Sequence, residues 1–471
     1  MTAAVATYLL FLSLLLGLLM MRDHVKGRVE LLSIRNFGLA GFIIFQLTSA
    51  SLALYREYQP LYPLTDTAGT AVKYAAFCTV FLTVALVVYR VGPGVSKLVR
   101  LVPTSRAVPN EPFMWLVAAI LAFMALALRT MVRVPLVAVL ADYVGTAFAA
   151  IACGLAGWIW AKRFLNPAAA TYAMLIFLAC SASVILGSFG RRGLVAVGAG
   201  MLWGMYYSRW RFNEPKRMLV QLSLVAAVPI VALALFTSVR SSREHDRGVG
   251  EHVSAITSGG SLKAGLEMLL DGQGTGSVSM WLSEQYPDNY AYRWFHTPKY
   301  FVVFPVPRAL WRGKPDALSE RIATMANRSG VDRSRLKVGP GIIGHAAAEG
   351  GWIAIVFYGI LAGLVLRFFD EIVRQSPYSP FVVLPVGAAL GQIIGLSRGE
   401  TAPFLFNYVF GVFGSYFTLI MVAKFVERIG LARPGDGSEQ GVAHSDEYEQ
   451  WEGYGDETQD SSGYGDERQA G

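Results

Sequence analysis

Blocks of about 18–25 consecutive apolar residues recur along this chain, the length of helix that crosses a hydrocarbon core of about 30 Å at 1.5 Å per residue. In lipid the backbone has to satisfy its own hydrogen bonds, which leaves helices or a closed barrel. Barrel strands would show short alternating segments, whereas these blocks are continuous, so the expected fold is all-α, a polytopic transmembrane bundle. Only 16% of the 471 residues are charged and 54% are hydrophobic, against about 25% charged in ordinary globular domains. The first block follows Met1-Thr2-Ala3-Ala4 with no basic residue ahead of it, which reads as an uncleaved helix rather than a signal peptide.

Eleven spans are expected, at roughly 4–21, 37–55, 71–89, 112–128, 138–161, 169–188, 194–207, 218–238, 350–366, 379–396 and 403–425. Arg129, Arg133 and Pro135 interrupt the apolar stretch between the fourth and fifth. The +8 net charge sits in short alternate loops, the pattern of cytoplasmic membrane loops rather than of nucleic-acid binding. Those loops hold Arg22, Lys26, Arg28 and Arg35; Arg90, Lys97, Arg100 and Arg106; Lys162 and Arg163; Arg209, Arg211, Lys216 and Arg217; and Arg367 and Arg374. The expected orientation therefore has the N-terminus outside and the C-terminus in the cytoplasm. The chain divides into helices over 1–238, a long outer loop with amphipathic helices over 239–349, helices over 350–428 and a tail over 429–471. That tail is polar and acidic and repeats Gly-Tyr-Gly-Asp-Glu at 453–457 and 463–467, too little apolar surface to fold alone. Cys78, Cys153 and Cys180 lie inside apolar blocks as small buried residues, and no spacing of His or Cys fits a metal site.

With the orientation set, several cations stand on the unexpected side. Arg129 and Arg133, the pair Arg191–Arg192 between Gly190 and Gly193, and Arg398 fall at outer helix ends, while Arg308, Arg312 and Lys314 lie in the long loop. An arginine at mid-bilayer costs about 2.5–3.5 kcal/mol on insertion scales and less near the interface. The planar guanidinium fork suits a phosphate, and each charge-assisted hydrogen bond contributes about 1.5–3 kcal/mol. Together these residues point to a site for an anion at the outer surface.

Pro305-Val306-Pro307-Arg308-Ala309-Leu310-Trp311-Arg312-Gly313-Lys314-Pro315 is followed about 25 residues later by the glycine-rich block Gly339-Pro340-Gly341-Ile342-Ile343-Gly344-His345-Ala346-Ala347-Ala348-Glu349-Gly350-Gly351, which leads into the ninth predicted span. These motifs, the span number and a long outer loop late in the chain resemble the bacterial O-antigen polymerases, which join oligosaccharide repeat units. The resemblance covers about 50 residues in motif and most of the chain in architecture.

What the resemblance implies is a polymerase of surface polysaccharide, whether O-antigen, capsule or exopolysaccharide. Such a glycosyltransferase takes undecaprenyl-pyrophosphate-linked oligosaccharides as donor and acceptor on the outer face of the cytoplasmic membrane. It needs no cofactor and no metal; its partners would be the bilayer, a chain-length regulator and a flippase, with no nucleic acid. Fixed cations would steady the leaving pyrophosphate, with Arg191, Arg192, Arg308, Arg312, Lys314, Arg398, Arg129 and Arg133 as candidates. The acceptor hydroxyl needs a base; His345, Glu349 and Glu400 are the candidates, and Glu349 could instead orient His345 four residues earlier or serve the helix dipole. An O-antigen ligase, which moves finished glycan to another acceptor, is the nearest alternative, and a lipid-linked glycan flippase or transporter the next.

Overall fold

The computed structural model describes residues 1–56, 62–92, 94–105, 108–132, 134–188, 191–213, 215–241, 265, 274–308, 310–326, 339–430 and 432–433. The tail beyond Arg433 with its Gly-Tyr-Gly-Asp-Glu repeats, and Arg133, lie outside the described residues, as does most of the predicted loop between 242 and 273. The described residues are helical, apart from a two-residue antiparallel bridge between Val108–Pro109 and Ala432–Arg433. Among them eight helices are long and apolar enough to cross a membrane: Thr2–Val25, Ile34–Tyr55, Thr67–Val91, Glu111–Met131, Val137–Lys162, Pro167–Ile185, Trp352–Gln375 and Thr401–Arg428. Three further predicted blocks are also helical. One is Arg191–Ser208, one is Pro215–Ser241, and the third is broken into Pro380–Gly387 and Leu390–Leu396.

In chain order the elements used below are α1 (Thr2–Val25), α2 (Ile34–Phe42), a π-helical turn (Ile43–Thr48), α3 (Ser49–Tyr55), α4 (Thr67–Val91), α5 (Val95–Val99), α6 (Glu111–Met131), α7 (Pro135–Lys162), α8 (Pro167–Ser188), α9 (Arg191–Ser208) and α10 (Pro215–Ser241). They continue with α11 (Thr275–Gln285), α12 (His296–Val303), α13 (Leu318–Met325), α14 (Gly341–Gly350), α15 (Trp352–Gln375), α16 (Pro380–Gly387), α17 (Leu390–Leu396) and α18 (Thr401–Arg428). Pro135 does not kink a helix but starts one: at the first position its missing N–H and fixed φ cost nothing.

Two cores form. One gathers α6–α9 with α16–α18, and the other gathers α1–α4 with α11, α14 and α15. In the first, α7 and α9 approach backbone to backbone. A Cβ on Gly204 would sit 2.0 Å from the Gly154 carbonyl oxygen, so only glycine fits. Cys78, Cys153 and Cys180 are buried and free, as small apolar residues in such cores are.

Arg35, read from the sequence as a loop cation, is instead buried at 1% exposure, its Nη1 2.6 Å from Asp23 Oδ2. Its Nε and Nη2 donate to Asn36 Oδ1 at 3.1 and 2.9 Å, and the guanidinium carbon lies 5.3 Å from the Tyr89 ring centre. Asp370 of α15 closes the cluster, accepting from the backbone N–H of Ile34 and Arg35 at the start of α2 and from the Tyr89 hydroxyl. An acidic side chain from a distant helix thus serves the orphan donors of a helix N-terminus.

Candidate functional site

The glycine-rich block forms a short separate helix, not the first turn of the long one. All ten residues of α14 are buried. Gly351 (φ 56°) breaks the chain before α15, its N–H returning to the Ala346 carbonyl. The Gly350–Gly351 pair is needed there. A Cβ on Gly350 would lie 2.6 Å from the Trp294 ring, and one on Gly351 would lie 2.6 Å from the Tyr292 hydroxyl. Glu349 therefore ends a helix rather than beginning one, so the helix dipole does not favour its charge. What holds that charge is a set of side chains.

His345 is the centre of that set. Its side chain is 1% exposed, with Nδ1 3.6 Å from Glu349 Oε1 and Nε2 3.5 Å from Glu400 Oε1. Glu349 Oε1 accepts from the Thr297 hydroxyl at 2.5 Å and the Thr297 N–H at 2.9 Å, and its Oε2 accepts from the Tyr358 hydroxyl at 2.7 Å. Thr297 Oγ1 also lies 3.1 Å from His345 Nδ1. Glu400, immediately before α18, accepts from the backbone N–H of Leu318 and Ser319 at 3.1 and 2.9 Å, capping the start of α13. Thr297 of α12, Glu349 of α14 and Glu400 before α18 thus converge on one imidazole.

Burial acts to lower the pKa of His345, but the charge of Glu400 and hydrogen bonds to both carboxylates outweigh it and raise it to about 9. Burial acts to raise that of Glu400, yet His345 and the two α13 N–H groups bring it down to about 2, and Glu349 is lowered likewise. Through neutral pH the centre is a carboxylate–imidazolium–carboxylate triplet. The Thr401 N–H, 3.3 Å from His345 Nε2, competes for that nitrogen and engages it only when it is unprotonated. His296, one residue before Thr297, is lowered to about 4 by burial and then by Arg293; as a neutral Nε2–H tautomer it donates to the Asp316 carbonyl at 3.0 Å.

The triplet makes stability depend on pH with a definite sign. His345 holds a proton when folded that it releases near 6.5 when unfolded, so its stabilisation is complete below 6.5 and lost as pH rises through about 9. Glu400 contributes in the other direction, in full above 4.5 and lost as pH falls through about 2. Melting of the detergent-solubilised protein between pH 6 and 10 is expected to show an alkaline loss on the order of 3 kcal/mol. His345→Gln should flatten that limb; an unchanged limb in the variant would remove His345 as its source.

The basic candidates separate. Arg129 is committed within the helices: Nη2 lies 3.0 Å from Asp142 Oδ1, and the other donors reach the Ser183, Val184 and Asp142 carbonyls and the Thr146 hydroxyl. Arg308 bridges Asp316 and Glu320 at 2.7 and 2.8 Å. Lys314 donates to the Phe304 and Val306 carbonyls at 2.7 and 2.9 Å, beneath the Tyr300 and Phe304 rings. In this structure these three are engaged by the protein's own carboxylates, hydroxyls and carbonyls. Arg312 is exposed, and Arg398 stacks 5.7 Å from the centre of the Phe45 ring. Arg191 and Arg192 open α9, with side chains outside the described residues. The structure adds Thr297, Tyr358 and Arg293, which the sequence reading did not single out.

Among the described residues the fold and site together define a class: a helical protein with eight membrane-length helices and a buried histidine held between two carboxylates. Among the described residues no cluster of His, Cys, Asp or Glu has the geometry to hold a metal ion. Comparison with known proteins adds no relative, since no family model, curated protein or solved structure matches the chain.

Proposed function

We propose that this protein is a membrane glycan polymerase that joins undecaprenyl-pyrophosphate-linked repeat units on the outer face of a bacterial cytoplasmic membrane. In this reading the chain crosses eleven times, with the N-terminus outside, and α14 and the start of α18 lie at the outer surface. The observation that carries the reading is the Glu349–His345–Glu400 triplet: His345 and Glu349 lie in the motif that resembles the O-antigen polymerases, and Glu400 stands far along the chain, immediately before α18.

In the reaction the acceptor hydroxyl attacks C1 of the donor sugar, the C1–O bond to pyrophosphate breaks, and undecaprenyl pyrophosphate leaves with the bonding electrons. His345 is protonated in the neutral range and is not the free base. Glu400, whose carboxylate is 10% exposed against 4% for Glu349 and whose pKa is about 2, takes the hydroxyl proton only as the new bond to C1 makes that oxygen strongly acidic. His345 remains charged between the two carboxylates, while Glu349, Thr297 and Tyr358 fix its orientation. Arg312 and Arg398 are the cations assigned to the donor's pyrophosphate.

The test is product length on a gel from purified protein and lipid-linked repeat unit. A ladder of glycans is the expected result. Transfer to lipid A core without a ladder would make the protein a ligase, and no transfer of either kind would sink the transferase reading.

A further inference from the structure

A second polar feature lies beside the triplet and takes no part in it. Tyr290, Arg293, Asp316, Arg321, Thr324 and Met325 line a cleft of about 620 Å³. Both elements that carry its arginines are tied to the triplet. The Arg293 N–H donates to the carbonyl of Ala348, the neighbour of Glu349. Arg321 stands on α13, whose first N–H groups are held by Glu400.

Two guanidinium groups lining one cleft repel each other. Among the described lining residues Asp316 is the one carboxylate, and Arg308 already engages it at 2.7 Å. Nη1 of Arg293 is buried with no hydrogen-bond partner among the described residues. A charged donor left buried and unmatched is costlier than any neutral one. Burial first, and then the charge of Arg321, push the Arg293 pKa down, and Tyr286, Glu349 and Asp316 only partly restore it, which leaves room for a further counter-charge. A multiply charged oxyanion supplies it: the two planar forks accept such a group bidentately, and the Thr324 and Tyr290 hydroxyls add neutral donors.

We propose that Arg293 and Arg321 form a phosphate-binding site in this cleft, separate from the cations of the 305–315 segment. The site rests on the transferase reading only for the source of the phosphate, which is a lipid-linked pyrophosphate or the free ion.

The test is calorimetric titration of the full chain in an uncharged maltoside detergent, with inorganic pyrophosphate in one arm and undecaprenyl pyrophosphate in the other. Saturable binding is expected in at least one arm, weakened about tenfold or more by Arg293→Gln and by Arg321→Gln. Lys299→Gln, an exposed cation on α12, should stay within about twofold of wild type. Arg321→Lys keeps the charge and loses the fork, so it should fall between; it also carries the test if Arg293→Gln does not fold. Binding of both ligands identifies a lipid headgroup as the source, and binding of the inorganic ion alone identifies the free ion. No saturable binding in either arm, or equal weakening by all the Gln variants, would overturn the site. Loss of glycan synthesis in the wild type with pyrophosphate binding intact would remove the transferase reading and leave the site standing.

Discussion

Glu400→Gln should lower the rate of glycan transfer by about 10²–10⁴-fold, the usual contribution of a positioned acid–base group. The amide preserves volume and can still accept from the Leu318 or Ser319 N–H, so α13 keeps most of its cap. What it loses is the ability to take a proton and the charge that holds His345 protonated. Two results therefore belong together: slower transfer, and a fall in the His345 pKa from about 9. Histidine NMR in the variant reads the second without relying on activity. Glu349→Gln should also lower that pKa but slow transfer less, because Glu349 acts through His345. Should Glu400→Gln transfer at the wild-type rate with donor still bound, Glu400 is not the proton acceptor.

Asp23→Ala should destabilise the protein by about 3–5 kcal/mol, the cost of leaving one member of a buried ion pair without the other. Arg35 retains Asn36 and the Tyr89 ring, which places the expected loss toward the lower end. The double variant Asp23→Ala, Arg35→Met removes both charges and should recover much of it, since buried pairs contribute little over apolar side chains of similar volume. Melting of the four members of the cycle in one detergent measures this. Additive losses in the double variant would show that the pair is not coupled.

The helices were legible because their signal is local: length and apolarity alone place them, and eight predicted blocks coincide with membrane-length helices. His345, Glu349 and Glu400 were legible as unusual polar residues beside glycine-rich or apolar segments. Their mutual contact was not, because 55 residues of chain separate His345 from Glu400. Thr297 and Tyr358 gave no signal, being ordinary residue types whose role comes only from what they meet. Arg293 had one: it stands between Tyr292 and Trp294 in a cluster noted for its rings rather than its charge. Positive charge on the expected outer side was a weaker guide, since Arg129, Arg308 and Lys314 are engaged by neighbouring carboxylates and carbonyls. Counting cations cannot separate those that bind a ligand from those that brace a turn.

The π-helical turn at Ile43–Thr48 carries Gln46, whose Nε2 donates to the Ser397 carbonyl at 2.5 Å while its Oε1 and main-chain oxygen accept from Tyr74. Such a turn holds one residue more than the α-helix it interrupts. Removing one residue from it would restore regular winding with the flanking helices still in register, whereas the same loss from a regular α-helix rotates everything downstream by about 100°. Ser49, Ala50 and Ser51 would thus still face α11 and α1. Tolerance to insertion and deletion is thus distributed unevenly along this chain. A gap of one position inside 43–48 leaves the helix interfaces in register, whereas a gap in the connector between α1 and α2 would move Glu30, Leu31 and Leu32 off Asn36, Tyr206 and Tyr207.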